Sequence, residues 1–562
     1  MKCPAPFRFV RILALACAVG SSALGAAVPA DCDYLIVTDS LLLPQARRLA
    51  ELRAATPFDL IEKPHVANMA DIRRDFPSES APSRSVLSFL RDVMDGNGKL
   101  PGHLVLFGDA SVDGSAESDR VPTHVYTTPA LSHFDPGNPV FDTLSTDDGY
   151  AALLDSLPRD SIRFHTSVGR IPAATLEQAR VYVDKVEAYE TRYPFGPGAF
   201  TYGFASDDDF QRGASGGLDP IHTLPEFHED LWNHLPIKPF VRRMLSIEFA
   251  IGEGSRKPAA RDSLVGILNA SAARFYFVGH GSPDRLTDEW IFQVPEDLSR
   301  LRAKPLQPIA SMLGSNTAPF LFSGEPSMGE QMIFHPLGVI AYLGAVGETY
   351  PVSNNKLFKA WDDTASRGGS LGQSFAYAKA RSEGSLENDL RFVLLGDPAL
   401  TLRVPAFDLV PAVGSGRSRL FLDEAGAPGD SVFFQLVQVD PVPYAPLLHP
   451  ENRVLREKKY LRESVLADGR MALDGDGTVS IDLPSVPDQE AAAVKVMVWN
   501  DRGMRYGHFP LPTLGPMGFR GRSSLGKPPS RYRLVLDGNR IEILWDSGPQ
   551  GMRRIDIKGV AR

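Results

Sequence analysis

Two short stretches hold residue types that could do acid–base or nucleophilic chemistry. The first is Phe275-Tyr-Phe-Val-Gly-His280-Gly-Ser282, a histidine between two glycines directly after an apolar run. Backbone N–H groups beside an imidazole suit a general acid or base next to an oxyanion-binding amide. A turn histidine that merely caps a strand is the competing reading. The second stretch is an apolar run at 308–313 that enters Gly314-Ser315-Asn316-Thr317. A Ser315 hydroxyl near His280 has the outline of a nucleophile with its base. The same four residues also make an ordinary polar turn.

Other candidates carry less. Asp147-Asp148, Asp207-Asp208-Asp209 and the set Asp284, Asp288 and Glu289 are acidic clusters that could take calcium as a structural ion. None has the spacing of a defined calcium loop, so solvated acidic turns are expected. His222, Glu226 and His228 resemble a metal set, but Pro225 falls inside the helix such spacing needs, and they are read as loop residues. Asp109 and Asp397 follow glycines and read as turn or cap residues. Trp290 reads as core. The cysteines are Cys3, Cys17 and Cys32, so nothing after position 32 offers a thiol nucleophile or a Cys-based zinc site.

These residues need elements to position them. Apolar runs at 34–37, 103–107, 200–205, 274–278, 308–313, 338–345 and 392–395 each end in Gly or acidic turns, as strands buried on both faces do. Helical patterns lie between them. One starts at Thr175 with Gln178 as a capping box, and others cover 263–270 and 371–381. Strand–helix alternation predicts a parallel sheet with helices on both faces up to residue 404. In such a sheet, sites lie outside the carboxyl ends of strands. The runs at 274–278 and 308–313 are one crossover apart, so their ends should be neighbours. From 405 to 562 the pattern becomes short alternating stretches with turn signals such as Asp474-Gly-Asp-Gly, which predicts a β-sandwich of immunoglobulin-like size. The stretch 515–529 reads as a loop.

The chain has 562 residues, enough for about three domains. It is 43% hydrophobic and 23% charged, a composition that folds. Its net charge of −9 and the lack of a long basic run argue against a nucleic-acid partner. Lys2, Arg8 and Arg11, an apolar stretch at 12–19 and small residues through Ala27 read as an export signal over 1–27. No later segment is apolar enough for a transmembrane helix. The destination is then periplasmic, cell-envelope or extracellular.

Five blocks together resemble the gingipain-type cysteine peptidases, a family with the caspase-like fold. They are Leu104-Val-Leu-Phe-Gly-Asp-Ala110; Val168-Gly-Arg-Ile-Pro172 with Lys185, Tyr189 and Glu190 trailing; Phe277-Val-Gly-His-Gly-Ser282; Ser327-Met-Gly-Glu330; and Leu394-Leu-Gly-Asp-Pro398. The resemblance covers about 32–404. It implies an α/β, caspase-like fold in two subdomains, 28–195 and 196–404, ahead of the 405–562 sandwich. It also implies a cysteine-type endopeptidase activity on peptides or proteins that requires no cofactor. His280 stands where the family keeps its catalytic histidine, and Gly281 where it keeps an oxyanion donor. Ser315 stands where it keeps the nucleophilic cysteine. Serine there implies attenuated or lost activity, or a pseudo-peptidase that binds peptides or envelope partners without cutting them.

Overall fold

A computed structural model describes residues 26–56, 61–78, 81–110, 120–127, 143–158, 160–208, 224–321, 326–412, 415–416, 418–443, 459–513, 532–537, 540–546 and 552–557. Most of the expected export signal, Asp209, His222 and the 515–529 loop lie outside the described residues.

The short apolar runs become strands of one ten-stranded sheet. They are β1 (Tyr34–Thr38), β2 (Pro64–Asn68), β3 (His103–Phe107), β4 (Ser167–Ile171), β5 (Thr201–Ser206), β6 (Phe240–Leu245), β7 (Arg274–Val278), β8 (Ile309–Leu313), β9 (Ala341–Ala345) and β10 (Phe392–Leu395). Their order across the sheet is β2-β1-β3-β4-β10-β9-β8-β7-β5-β6. Strands β1, β3, β5, β7, β8, β9 and β10 are buried along their whole length, because helices cover both faces.

One step departs from the expected parallel sheet. β9 and β10 pair antiparallel, Ala345 opposite Phe392. β10 re-enters the sheet beside β4 and runs parallel to it. The sheet therefore has two parallel halves of opposite polarity. The carboxyl ends of β7, β8 and β9 lie at one edge, and those of β3, β4 and β10 at the other. β7 and β8 are parallel neighbours with Val278 opposite Leu313, so their ends meet as expected.

Helices α1 (Leu43–Ala55), α2 (Leu176–Thr191), α3 (Leu224–His234), α4 (Pro258–Asn269), α5 (Met328–Phe334), α6 (Pro351–Ala365) and α7 (Leu371–Arg381) complete the parts used below. α2 starts where the sequence places it, with a full capping box between Thr175 and Gln178. α5 has the same device in Ser327 and Glu330. Pro258 and Pro351 open α4 and α6 in the first turn, where a missing N–H costs nothing.

The C-terminal part is all β. β11 (Arg419–Leu422) pairs with β14 (Val479–Asp482), and β12 (Ser431–Pro443), β13 (Lys459–Ala472), β15 (Ala492–Trp499) and β16 (Met504–Pro510) form a sheet in the order β13-β12-β15-β16. Alternation along β12 and β15 sends Val432, Phe434, Leu436, Val494, Val496 and Val498 into a core shared with β11 and β14. The opposite face is also covered. Phe433, Met497, Trp499 and Tyr506 pack on the α/β core, and the Tyr506 hydroxyl donates to the Lys238 carbonyl at 2.6 Å. Among the described residues no helix is long and apolar enough to cross a membrane.

Candidate functional site

Three strand ends build the site. β7 delivers His280, β8 delivers Ser315, and β5, the other neighbour of β7, delivers Asp207. The two turns touch because glycines let them. A Cβ on Gly281 would lie 2.7 Å from the Ser315 carbonyl oxygen, and one on Gly314 would lie 2.6 Å from the Gly279 carbonyl oxygen. A Cβ on Gly279 would collide with the Cβ of Asp207. The glycines flanking His280 thus serve close backbone approach.

Asp207 is buried, and its Oδ2 accepts two hydrogen bonds from His280: the backbone N–H at 3.0 Å and ring Nδ1 at 2.7 Å. This fixes the ring and leaves the imidazole side chain 49% exposed. A carboxylate so placed holds the tautomer with its proton on Nδ1. Sequence reading put Asp207 in a solvated acidic turn. Adjacency of β5 to β7 was the signal that could have paired it with His280.

Ser315 is half-buried and engaged elsewhere. Its Oγ accepts the Thr349 N–H at 3.0 Å and lies 3.5 Å from both the Thr349 carbonyl and Oγ1. It makes no hydrogen bond to His280. Thr349 follows β9, and the Asn316 N–H donates to the Gly347 carbonyl at 3.0 Å, so the turn after β9 forms a wall beside Ser315. Thr349 was missed by sequence reading; only its place after the strand next to β8 marks it.

Behind Asp207 lies a closed polar space. Asp208 forms a fully buried ion pair with Lys257, whose ammonium also donates to the Ser246 carbonyl at 3.0 Å. Glu289 is 1% exposed, and among the described residues neither of its carboxylate oxygens has a hydrogen-bond partner. One oxygen from each of Asp207, Asp208 and Glu289 lies within 4.8 Å of the others.

Calcium takes 6–8 oxygen ligands, and several of the acids expected in solvated turns are instead buried and paired. Lys257 already sits on Asp208, and His280 holds Asp207, which leaves Glu289 alone. Asp147 is consumed by Arg170 at 2.6 and 2.8 Å, and Asp148 by Lys379. Asp284 accepts from Ser282, while Asp288 is exposed and Glu289 buried, so the third set does not converge.

Two local readings are corrected. Pro225 is the second residue of α3, where proline is tolerated, so Glu226 and His228 are helical. His228 is fully buried, with Nδ1 3.2 Å from Arg243 and its ring edge-on to Phe204; burial holds its pKa well below the ordinary value. Trp290 is half-buried and lies under Arg285 at 4.8 Å, so it is not core. Asp109 and Asp397 are turn residues, as read: each accepts a nearby backbone N–H, and both lie at the sheet edge opposite His280.

Residues 27–403 match the model of peptidase family C25. No curated protein sequence gives a match. Similar solved structures include the Arg-specific cysteine proteinase gingipain R, at 13% identity and a TM-score of 0.48, covering 86% of this chain and 99% of that one. The complex of pro- and mature domains of RgpB from Porphyromonas gingivalis gives 12% identity and a TM-score of 0.47, covering 84% of this chain and 99% of that one. Dimeric latent PorU from the same organism gives 16% and 0.32, covering 85% of this chain and 43% of that one.

Proposed function

We propose, from the premise that this chain belongs to peptidase family C25, the gingipain family, that it is an exported protein whose peptide-cleaving chemistry is attenuated or lost at Ser315. Its substrates or ligands are peptides or proteins, as the family implies, and His280 is the acid–base group of the cleft. Asp207 orients that imidazole, and the Gly281 amide is the oxyanion donor.

The observation that carries this reading is the hydrogen bond from the Thr349 N–H to Ser315 Oγ, with none from Ser315 to His280. A free thiol has a pKa of about 8.5 and forms its nucleophile without direct contact with a base. A hydroxyl needs that contact, because serine is activated only by an adjacent general base. Here the hydroxyl accepts a backbone amide, and the nearest acceptors for its own proton are the Thr349 carbonyl and Oγ1, both at 3.5 Å. The same cleft can hold a peptide without cutting it, which is the second reading: a pseudo-peptidase for peptide or envelope partners. Export rests on the charge and apolar order of the first 27 residues.

The test is peptide-library hydrolysis by the natural protein and by Ser315→Cys, each with His280→Ala as control. Little or no cleavage is expected from the natural form. A gain of several orders of magnitude is expected from Ser315→Cys, since nucleophile loss costs on the order of 10⁶ in hydrolases. Strong cleavage by the natural form, lost in Ser315→Ala, would establish a serine peptidase. Peptide binding without cleavage by either form would favour the second reading.

A further inference from the structure

The space behind Asp207 holds more negative charge than His280 and Lys257 can answer. Three carboxylates meet there, all buried, and they face one ammonium and one half-exposed imidazole. Asp207 receives the two N–H groups of His280, and Asp208 receives Lys257. Among the described residues, Glu289 receives nothing. As an anion it would be a buried charge with no donor, which is the costliest way to bury a carboxyl group.

The backbone is bent to put it there. Thr287 and Trp290 have φ of 63° and 56°, left-handed values that side chains with a Cβ adopt only under constraint. The Thr287 N–H donates to the His280 carbonyl at 3.0 Å, and the Lys257 N–H donates to the Glu289 carbonyl at 3.3 Å. These bonds tie the turn to both the histidine and the lysine. Asp288 points to solvent and Glu289 points in.

We propose that Glu289 keeps its proton at neutral pH and lends it, as a hydrogen-bond donor, to the Asp207–Asp208 carboxylates, so that Glu289 is a positioning residue fixing the charge behind His280. The protonated acid has carboxylate oxygens of Asp207 and Asp208 within 4.8 Å, whereas among the described residues the carboxylate has no donor. Two carboxyl groups crowded into one dry space hold one proton between them for the same reason. Among the described residues, the charged groups around Glu289 come from several elements, and Arg256 stacks on the Trp290 ring beside it. Asp207 and Asp208 come from the end of β5, Lys257 from the start of α4, and His280 from the end of β7. Arg285 stacks on Trp290 and pairs with exposed Asp284 at 3.9 Å. Burial first, then Asp208 and Asp207, push the Glu289 acid up to about 8, with Lys257 opposing. The proposal rests on His280 being the acid–base group. Its test does not use catalysis, so the two can fail separately.

The experiment is thermal unfolding of the full chain and of Glu289→Gln between about pH 5 and about pH 9, with the His280 ring followed by NMR over the same range. A carboxyl group whose folded value is raised from 4.5 to about 8 is protonated when folded and ionised when unfolded across that window. Its contribution to stability therefore falls as pH rises and levels off above about 8. Glutamine keeps a donor and does not titrate. The variant should match the natural protein near pH 5 and exceed it increasingly towards pH 8.5, by several degrees in Tm. The His280 resonances of the natural protein should show a second inflection near 8 that the variant lacks. A variant destabilised at every pH, or a natural protein with no such inflection, overturns the proposal. So does a Tm raised by millimolar calcium in the natural protein alone, because that requires an ionised Glu289. The NMR titration of the natural protein decides the matter even if the variant does not fold.

Discussion

The two halves of the sheet end in similar turns and use them differently. In the half of the sheet that holds β3, β4 and β10, the buried acids Asp397, Glu190, Asp147 and Asp148 are all paired. Arg53 donates to Asp397 at 2.8 and 2.9 Å and to Glu190 at 2.8 Å, and Arg403 adds a further bond to Glu190 at 2.8 Å. Arg170 takes Asp147, and Lys379 takes Asp148. At the edge formed by β5, β7 and β8, one acid serves a half-exposed histidine and another has no partner among the described residues. A saturated buried ion pair ties elements together. An incompletely answered one beside an accessible imidazole is where protons can move. The Gly-Asp turns at 108–109 and 396–397 and the Gly-His-Gly turn at 279–281 look alike in sequence, and sheet polarity separates their roles.

The sharpest way to break this comparison is to remove one cation from the half that holds β3, β4 and β10. Arg53→Met leaves Glu190 with Arg403 and leaves Asp397 without its guanidinium, in a site with no exposed surface. Stripping one partner from a buried pair costs about 3–5 kcal/mol. The expected outcome is a large drop in the denaturant midpoint, or failure to fold. The matching change at the other edge is Asp207→Asn. It should leave the midpoint nearly unchanged, because His280 is half-exposed, yet lower the turnover of a Ser315→Cys enzyme by about 10²–10⁴. If Asp207→Asn behaves like Arg53→Met, both edges are structural and the contrast fails.

Most of the central sheet was legible because strands buried on both faces are continuous apolar runs. β3, β7 and β10 fall where the sequence puts them. β4 was not read as a strand, because Gly169 and Arg170 interrupt its apolar residues, and neither were β2 and β6. Their Pro64-His-Val-Ala-Asn68 and Phe240-Val-Arg-Arg-Met-Leu245 lie at the two ends of the sheet, where partial exposure dilutes the apolar signal. The polarity change at β10 was invisible, since it depends on which strand β10 joins. At the candidate site, the neighbouring of the turns that carry His280 and Ser315 was legible from strand order. Lys257 and Thr349 were not, because the ammonium of one and the backbone N–H of the other reach partners far away in sequence that no local pattern marks. The family-like Lys185 and Glu190 prove to be links in the interior. Lys185 donates to the carbonyls of Ile333, His335 and Val339 at 2.6–3.1 Å, which ends α5 and fixes its distance from α2.

A smaller effect tests the glycine argument. Gly279→Ala puts a methyl group into Asp207 and 2.7 Å from the Phe277 ring. Overpacking of this kind costs about 1–3 kcal/mol, and it should also separate His280 from Asp207, seen as a changed ring titration. Gly266→Ala is the control. Gly266 lies inside α4 with open space where its Cβ would be, and alanine there should stabilise by about 0.5–1 kcal/mol. Equal effects at the two positions would mean that the turn has room to spare.

The smallest expected effect concerns the serine itself. If Ser315 Oγ is a structural acceptor for the Thr349 N–H, then Ser315→Ala leaves a half-buried amide without its partner at the wall of the cleft. Losing one such hydrogen bond costs about 0.5–1.5 kcal/mol, which is about 2–4 °C in Tm for a unit of this size. Ser315→Cys should lose part of the same bond, because sulfur is a weaker acceptor, and so should fall between serine and alanine in stability while exceeding both in peptide cleavage. That crossing of the two orders, alanine below cysteine below serine in Tm and cysteine alone active, is the signature of a residue moved from chemistry to structure. A Tm unchanged in Ser315→Ala would mean that the hydroxyl is not held by Thr349 and is free to meet His280. The edge that carries β7 and β8 would then be a working serine site.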